Sequence, residues 1–415
     1  MKKLNSKYLD RNFFAGVFGN ILEWYDFAVF GFLTPIIGEL FFPKEDKIVG
    51  ILMAYGVFAT GYFMRPLGGI IFGHIGDKYG RKIALQISMF AMAIPTVLMG
   101  FLPTYKDIGI WAAFLLIFLR MVQGASVGGE LMGSVSYLVE IAPLKKRNFY
   151  GSFTLFSAVG GLLFGSAVVT ILDMALGSQV MSTWGWRIPF IGGVLIFAFG
   201  LWLRDGMRES PDFLAQKEIP QKTPFLEILK TMPMKVFQLF CIISVATVGV
   251  YILFIWLSTY MADMIASPIQ NSQLLATLSM VVVVFVLPFS GYISDIYGET
   301  KVFRLSCISL GVLIYPIFML INLGDFWLAA LGMFIFAIVI GFIQGPLPVL
   351  MTKMFPANLR YTGIGLGYNT ATAILGGTTP MIATVLVKVG SSIYLPAIYL
   401  IFFSLVALFA TMKKL

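Results

Sequence analysis

The sequence predicts an all-α membrane protein of twelve transmembrane helices in two pseudo-symmetric six-helix bundles. Three observations predict it. The chain has 415 residues, 59% hydrophobic and 12% charged, and soluble proteins carry about 25% charged residues, so the apolar surface must face lipid. Long apolar runs recur along the chain, without the short polar–apolar alternation of a membrane barrel. The two halves also echo each other, as set out below.

Apolar runs bounded by charges, proline or glycine place spans at 13–39, 48–73, 83–102, 109–139, 150–175 and 187–204. A polar stretch follows, and six more runs lie at 235–262, 273–293, 303–322, 326–351, 362–388 and 391–411. The expected division is a first bundle over 1–204, a linker over 205–234 and a second bundle over 235–415. Met1-Lys2-Lys3 resembles the start of a signal peptide, but no small-x-small cleavage site follows, so the first run is read as a retained helix.

Lysine and arginine set the orientation. With the N-terminus inside, the outer loops hold only Lys44, Lys47, Lys106, Arg187 and Lys388. Arg65 and Arg120 lie within spans, and the rest of the 29 basic residues fall on the inner side, with Arg204 counted at the inner end of the sixth span. Both termini are therefore expected in the cytoplasm. This asymmetry also accounts for the net charge of +9 without nucleic acid as a partner. One histidine and two cysteines, Cys241 and Cys307, each inside an apolar run, predict neither a metal site nor a disulfide. No glycine-rich phosphate cradle is present, so no cofactor, enzyme activity or built-in ATP motor is expected.

The internal echo is local. Gly73-His74-Ile75-Gly76-Asp77-Lys78-Tyr79-Gly80 separates the second and third spans, and Gly291-Tyr292-Ile293-Ser294-Asp295-Ile296-Tyr297-Gly298 separates the eighth and ninth. Such repeats are expected of transporters, whose substrate sits near the midplane.

Charged residues within a span cost roughly 2.5–3.5 kcal/mol each, so they face a cavity or a partner. Glu23 and Asp26 lie three residues apart on one side of the first helix. Arg65 lies deep in the second. Arg120, Gln123, Val127, Glu130 and Ser134 form one mostly polar stripe on the fourth. The expected inventory is three carboxylates and two guanidiniums. Glu23 and Asp26 are candidates for proton coupling. Arg65 and Arg120 are candidates for holding a substrate carboxylate, with Gln123, Glu130, Tyr368 and Asn369 lining the cavity. The competing reading is a set of fixed ion pairs that tie helices together.

Trp24, Tyr25, Tyr251, Trp256, Tyr260 and Tyr368 are candidates for holding a quaternary ammonium through their ring faces, or else for packing. Gly124, Gly128, Gly129, Gly133, Gly161, Gly165, Gly363 and Gly367 read as close helix contacts. Pro288, Pro316, Pro346, Pro348 and Pro380 mark bends or breaks.

The segment Gly73 to Lys82, with Leu85 beyond it, resembles the signature loop of the major facilitator superfamily. The resemblance implies that Asp77 caps the eleventh helix and that Arg81 pairs with Glu140 at the inner end of the fourth, a gating network. The second copy departs from the pattern, with Glu299 where arginine is expected. Gly19 to Phe27 (GNILEWYDF), Arg65 to Gly69 (RPLGG), Arg120 to Glu130 (RMVQGASVGGE), Trp184 to Phe190 (WGWRIPF) and Leu359 to Gly363 (LRYTG) resemble the metabolite:proton symporter family. That family imports 2-oxoglutarate, citrate, dicarboxylates, shikimate, proline and glycine betaine across the bacterial inner membrane.

The resemblance implies proton symport of a small carboxylate or zwitterion by alternating access. Its expected partners are the substrate, protons and the bilayer, and a monomer suffices. The end of the chain at Leu415 predicts no coiled-coil tail of the kind some members carry. An exporter on the same fold is the alternative, and a non-transporting sensor the remote one.

Overall fold

The computed structural model describes residues 6–42, 47–214, 224–390 and 392–412. Lys44, Lys217, Lys222 and both extreme termini lie outside the described residues. Twelve long helices follow the predicted order: α1 Ser6–Phe41, α2 Lys47–Tyr79, α3 Arg81–Phe101, α4 Ile110–Ile141, α5 Arg147–Leu176 and α6 Arg187–Asp205. Then come α7 Pro233–Ala262, α8 Ser272–Tyr297, α9 Glu299–Asn322, α10 Phe326–Met354, α11 Arg360–Val389 and α12 Leu395–Met412. Among the described residues eleven of these are long and apolar enough to cross a bilayer. The twelfth, α2, has 33 residues, about 50 Å of helix against a hydrocarbon core of about 30 Å.

The chain divides into two compact units, residues 1–141 with 157–225, and residues 142–156 with 226–415. The start of α5 thus counts with the second unit, and the first part of the linker with the first. The cause in the second unit is Asp295. Its carboxylate accepts the backbone N–H groups of Asn148 (2.8 Å) and Phe149 (2.9 Å), and so caps α5.

Glycines set the helix pairs. In the first unit a Cβ on Gly124 of α4 would lie 2.1 Å from the carbonyl oxygen of Gly61 on α2, and one on Gly128 2.2 Å from that of Arg65. Only hydrogen fits there. Gly161 and Gly165 bring α5 against Ile21, Trp24 and Tyr25 of α1, and Gly200 brings α6 against Met89 of α3. The second unit repeats the scheme six helices later. Gly367 of α11 meets Leu239 of α7, Gly345 in the break of α10 meets Ser290 of α8, and Ser404 of α12 donates to the Cys307 carbonyl of α9. The sequence repeat is therefore also a repeat of packing.

The echoed segments differ from expectation. Residues 73–82 and 291–301 read as loops, yet α2 runs on to Tyr79 and α8 to Tyr297, each leaving one glycine before the next helix. Gly80 has φ +112° and Gly298 φ +91°, a region costly for any side chain. The reversal is confined to one residue because glycine alone makes it without strain.

The wide turns are the second departure from uniform helix. One lies at Ile252–Trp256 in α7 and one at Thr372–Gly376 in α11. Such turns free backbone groups from the regular ladder. A Cβ on Gly376 would lie 2.9 Å from the Tyr251 ring, so the turn in α11 packs against α7 just ahead of the turn in that helix.

The two glycines provide a test. Alanine at Gly298 meets nothing within 4 Å, so it should cost only backbone strain, about 1–3 kcal/mol. Alanine at Gly80 should cost more, because its Cβ would lie 2.1 Å from a Glu209 carboxylate oxygen. Apparent melting temperatures of the purified variants check the order.

Candidate functional site

In the first unit α1, α2, α3, α4 and α6 bring a set of charged side chains into the interior. Glu23, Asp26, Arg65, Arg81, Arg120 and Arg204 are each at most 1% exposed. In hydrocarbon such groups persist only where the protein supplies partners, so each position turns on its partner.

Asp26 and Arg120 pair directly, α1 to α4, with Nη1 2.9 Å from Oδ2. The same Nη1 donates to the Gln123 side-chain oxygen (2.9 Å), and the Gln123 amide donates to Thr96 on α3 (2.8 Å). Phe27 and Phe30 cover the Arg120 guanidinium, with ring centroids at 4.8 and 4.1 Å. Three of the predicted residues thus form one relay across three helices.

Glu130 stands apart from that relay. It accepts from Ser88 of α3 (2.6 Å) and from both terminal nitrogens of Arg204 on α6. Arg204 also donates to the backbone carbonyls of Ala15 and Leu85. The expected count of two interior guanidiniums is therefore corrected. Arg204, counted as an inner-surface charge, is wholly buried. The clue in the sequence was numerical, since three interior carboxylates faced only two arginines.

Arg65 lies among aromatic rings. Its guanidinium carbon is 4.4 Å from the centroid of Tyr62, 5.0 Å from Phe27 and 5.5 Å from Trp24. Glu23 interacts with Arg65 electrostatically. Among the described residues neither oxygen of Glu23 accepts a hydrogen bond, and the buried indole N–H of Trp24 donates none. One helical turn earlier, Asn20 donates to Ser134 (3.0 Å) and Ser157 (3.3 Å).

The helix ends around the signature segment form a second cluster. Arg81 Nη1 lies 3.0 Å from Asp77 and donates to the Gly76 carbonyl (2.6 Å), and its Nε lies 3.5 Å from Glu140. Glu209, read only as a linker residue, accepts the backbone N–H groups of Arg81 (2.9 Å) and Lys82 (3.2 Å) and so caps α3. Tyr137 donates to the Arg208 carbonyl and Phe213 lies over Arg81. The start of the linker is thereby fixed to the signature segment. Its acid lies 128 residues from its partner, which no local pattern reveals.

In the second unit Glu299 pairs with Lys353 near the end of α10. Arg81 and Glu140 hold the corresponding positions in the first unit, with the charges exchanged. Tyr368, half-buried, and Asn369, 1% exposed, lie on α11 just before its wide turn. Trp256 and Tyr260 are not open ring faces. They stack at 4.6 Å on each other, and they bond Thr384 and Asn322. Tyr25 likewise donates to the Pro189 carbonyl at 2.7 Å. Burial with one satisfied polar tip is the packing role of these aromatics.

Comparisons with known proteins agree with this architecture. The family profile described as the Major Facilitator Superfamily matches residues 16–380. The glycine betaine/proline/ectoine/pipecolic acid transporter OusA of Dickeya dadantii is 33% identical over 406 residues, covering 95% of this chain and 81% of that protein. The proline/betaine transporter of Escherichia coli K12 is 32% identical over 415 residues, covering 96% and 82%. Among solved structures, the proton:xylose symporter XylE bound to 6-bromo-6-deoxy-D-glucose superposes with a TM-score of 0.80 at 17% identity, over 99% of this chain and 95% of that one. The chain belongs to the Major Facilitator Superfamily, and its curated relatives are proline/betaine transporters. It is a multi-pass plasma-membrane transporter.

The Glu130–Arg204 pair yields a stability prediction. Arg204→Met alone leaves a buried carboxylate without its cation and should cost about 3–5 kcal/mol. The double change Glu130→Leu with Arg204→Met should recover most of that loss. Thermal unfolding in detergent of the two single variants and the double variant measures the difference.

Proposed function

We propose that this transporter imports a small zwitterion of the proline or betaine class together with protons, by alternating access and with both termini in the cytoplasm. The observation that carries the reading is the buried acid on α1 beside the aromatic-lined guanidinium of α2. Among the described residues Glu23 and the Trp24 N–H are buried without hydrogen-bond partners, beside a guanidinium ringed by aromatic faces. An unsatisfied buried acid is costly unless it is neutralised or bound, and proton uptake or a cationic ligand does either.

In this reading Arg65 takes the substrate carboxylate. The faces of Trp24 and Tyr62 take the ammonium, and Glu23 carries the proton. Asp26, Arg120 and Gln123 form the adjoining relay, through which a change at Glu23 alters the pairing of Arg120. Glu130 lines the same interior but is already engaged by Arg204. Tyr368 and Asn369 are the second unit's candidates for substrate contact. Asp77, Arg81 and Glu140 act as a gate, because an ion pair wholly removed from water loosens when water reaches it. Support for the substrate class comes from the relatives, which are named for proline and betaine transport.

The test is uptake of labelled proline and glycine betaine into proteoliposomes with an imposed pH gradient. Accumulation that a protonophore abolishes is expected. Accumulation indifferent to the protonophore would remove the proton coupling, and a response only to dicarboxylates would change the substrate class. Glu23→Gln should keep solute counterflow and lose gradient-driven accumulation. Arg65→Gln should raise KM by about tenfold or more, the loss of one charge-assisted hydrogen bond.

A further inference from the structure

We propose that the second unit carries a binding groove for one anionic phospholipid on its outer face. The groove is a cavity of about 480 Å³ between α8, α9 and α10, and residues of this unit alone line it. Lys301, Leu305, Ser309 and Leu313 form its floor. They recur every four residues and so make one ridge that winds slowly along α9, inclined to its axis. Ser309 is the small residue in that row and lines the cavity together with Ile338 of α10.

The dimensions and chemistry select a lipid. Twelve residues separate Lys301 from Leu313, about 18 Å of helix, close to one leaflet of a hydrocarbon core of about 30 Å. Leu305 and Ile338 are 55% and 43% exposed within helices that cross the bilayer, so the groove opens sideways into acyl chains. Its mouth carries the charge. Lys301 stands three residues after Gly298, at the end of the span, with its ammonium 6.0 Å from the Tyr297 ring. Among the described residues it has no ion-pair partner.

The neighbouring acids are engaged elsewhere. Glu299 holds Lys353, and Asp295 caps α5. An ammonium over an apolar slot of leaflet length fits a phosphodiester headgroup with one acyl chain below it. A second copy of the chain would bring no such anion by necessity.

Delipidated full-length protein in neutral detergent is titrated with phosphatidylglycerol and, in parallel, with phosphatidylcholine of the same acyl chains. Bound lipid is counted by native mass spectrometry. The wild-type chain should bind phosphatidylglycerol about fivefold more tightly, the preference one lysine near the membrane surface confers. Lys301→Gln should lose that preference and keep phosphatidylcholine binding.

Ser309→Trp fills the slot and should weaken both lipids. Ile338→Trp fills it from α10 and serves if the first variant fails to fold, as judged by size exclusion and melting temperature. Equal affinity of the wild type for both lipids, or an unchanged preference in Lys301→Gln, overturns the proposal. So does unchanged lipid binding in the folded tryptophan variants. A dimer that those variants abolish would assign the groove to a second copy and overturn it too.

Discussion

A guanidinium within a bilayer must find its acceptors on the protein, and among the described residues four stand inside the first unit. Arg65, Arg81, Arg120 and Arg204 are among its largest fully buried side chains. Three of them reach carboxylates on other helices. The pairs fix how α1, α3, α4 and α6 lie within the unit, because moving any one helix strands a charge where desolvation costs several kcal/mol. Arg65 differs, in that its surroundings are aromatic faces and an acid that accepts no hydrogen bond.

Such pairs form only if the helices approach closely. The side chains of Asp26 and Gln123 are short, so their backbones must be near the helices they reach. The glycine seam between α2 and α4, with hydrogens against carbonyl oxygens at Gly124 and Gly128, makes the approach possible. Glycines on α5 do the same for α1. Packing and electrostatics are one device here, since a methyl group at the seam would separate the charges as well as the backbones.

The two units share a frame and diverge in chemistry. Each turns from one helix to the next through a single glycine with positive φ, and each places a charged residue just after it. In the first unit that residue is Arg81, sealed with Glu140. In the second it is Glu299, paired with a Lys353 whose side chain is 55% exposed. Exposed pairs contribute little because water and salt screen them, so the second copy of the cluster holds its end more weakly. The second unit also stacks aromatic rings on one another, as at Trp256, Tyr260 and Phe318.

The sequence by itself determined the twelve spans, their order and the internal repeat. Hydropathy, helical period and glycine spacing are local properties, and lipid leaves helix as the available answer. It also marked Glu23, Asp26, Arg65 and Arg120 as interior, because a charge in an apolar run declares its cost. Tertiary structure alone decided who pairs with whom. Arg204 seemed a surface charge until Glu130 was placed beside it from another helix. Glu209 seemed a linker residue until it capped α3, and Trp256 stood open between a binding face and packing until Tyr260 stacked on it. A partner is a fact about two distant positions at once, set by how helices rotate and approach, and no pattern along a single helix contains it.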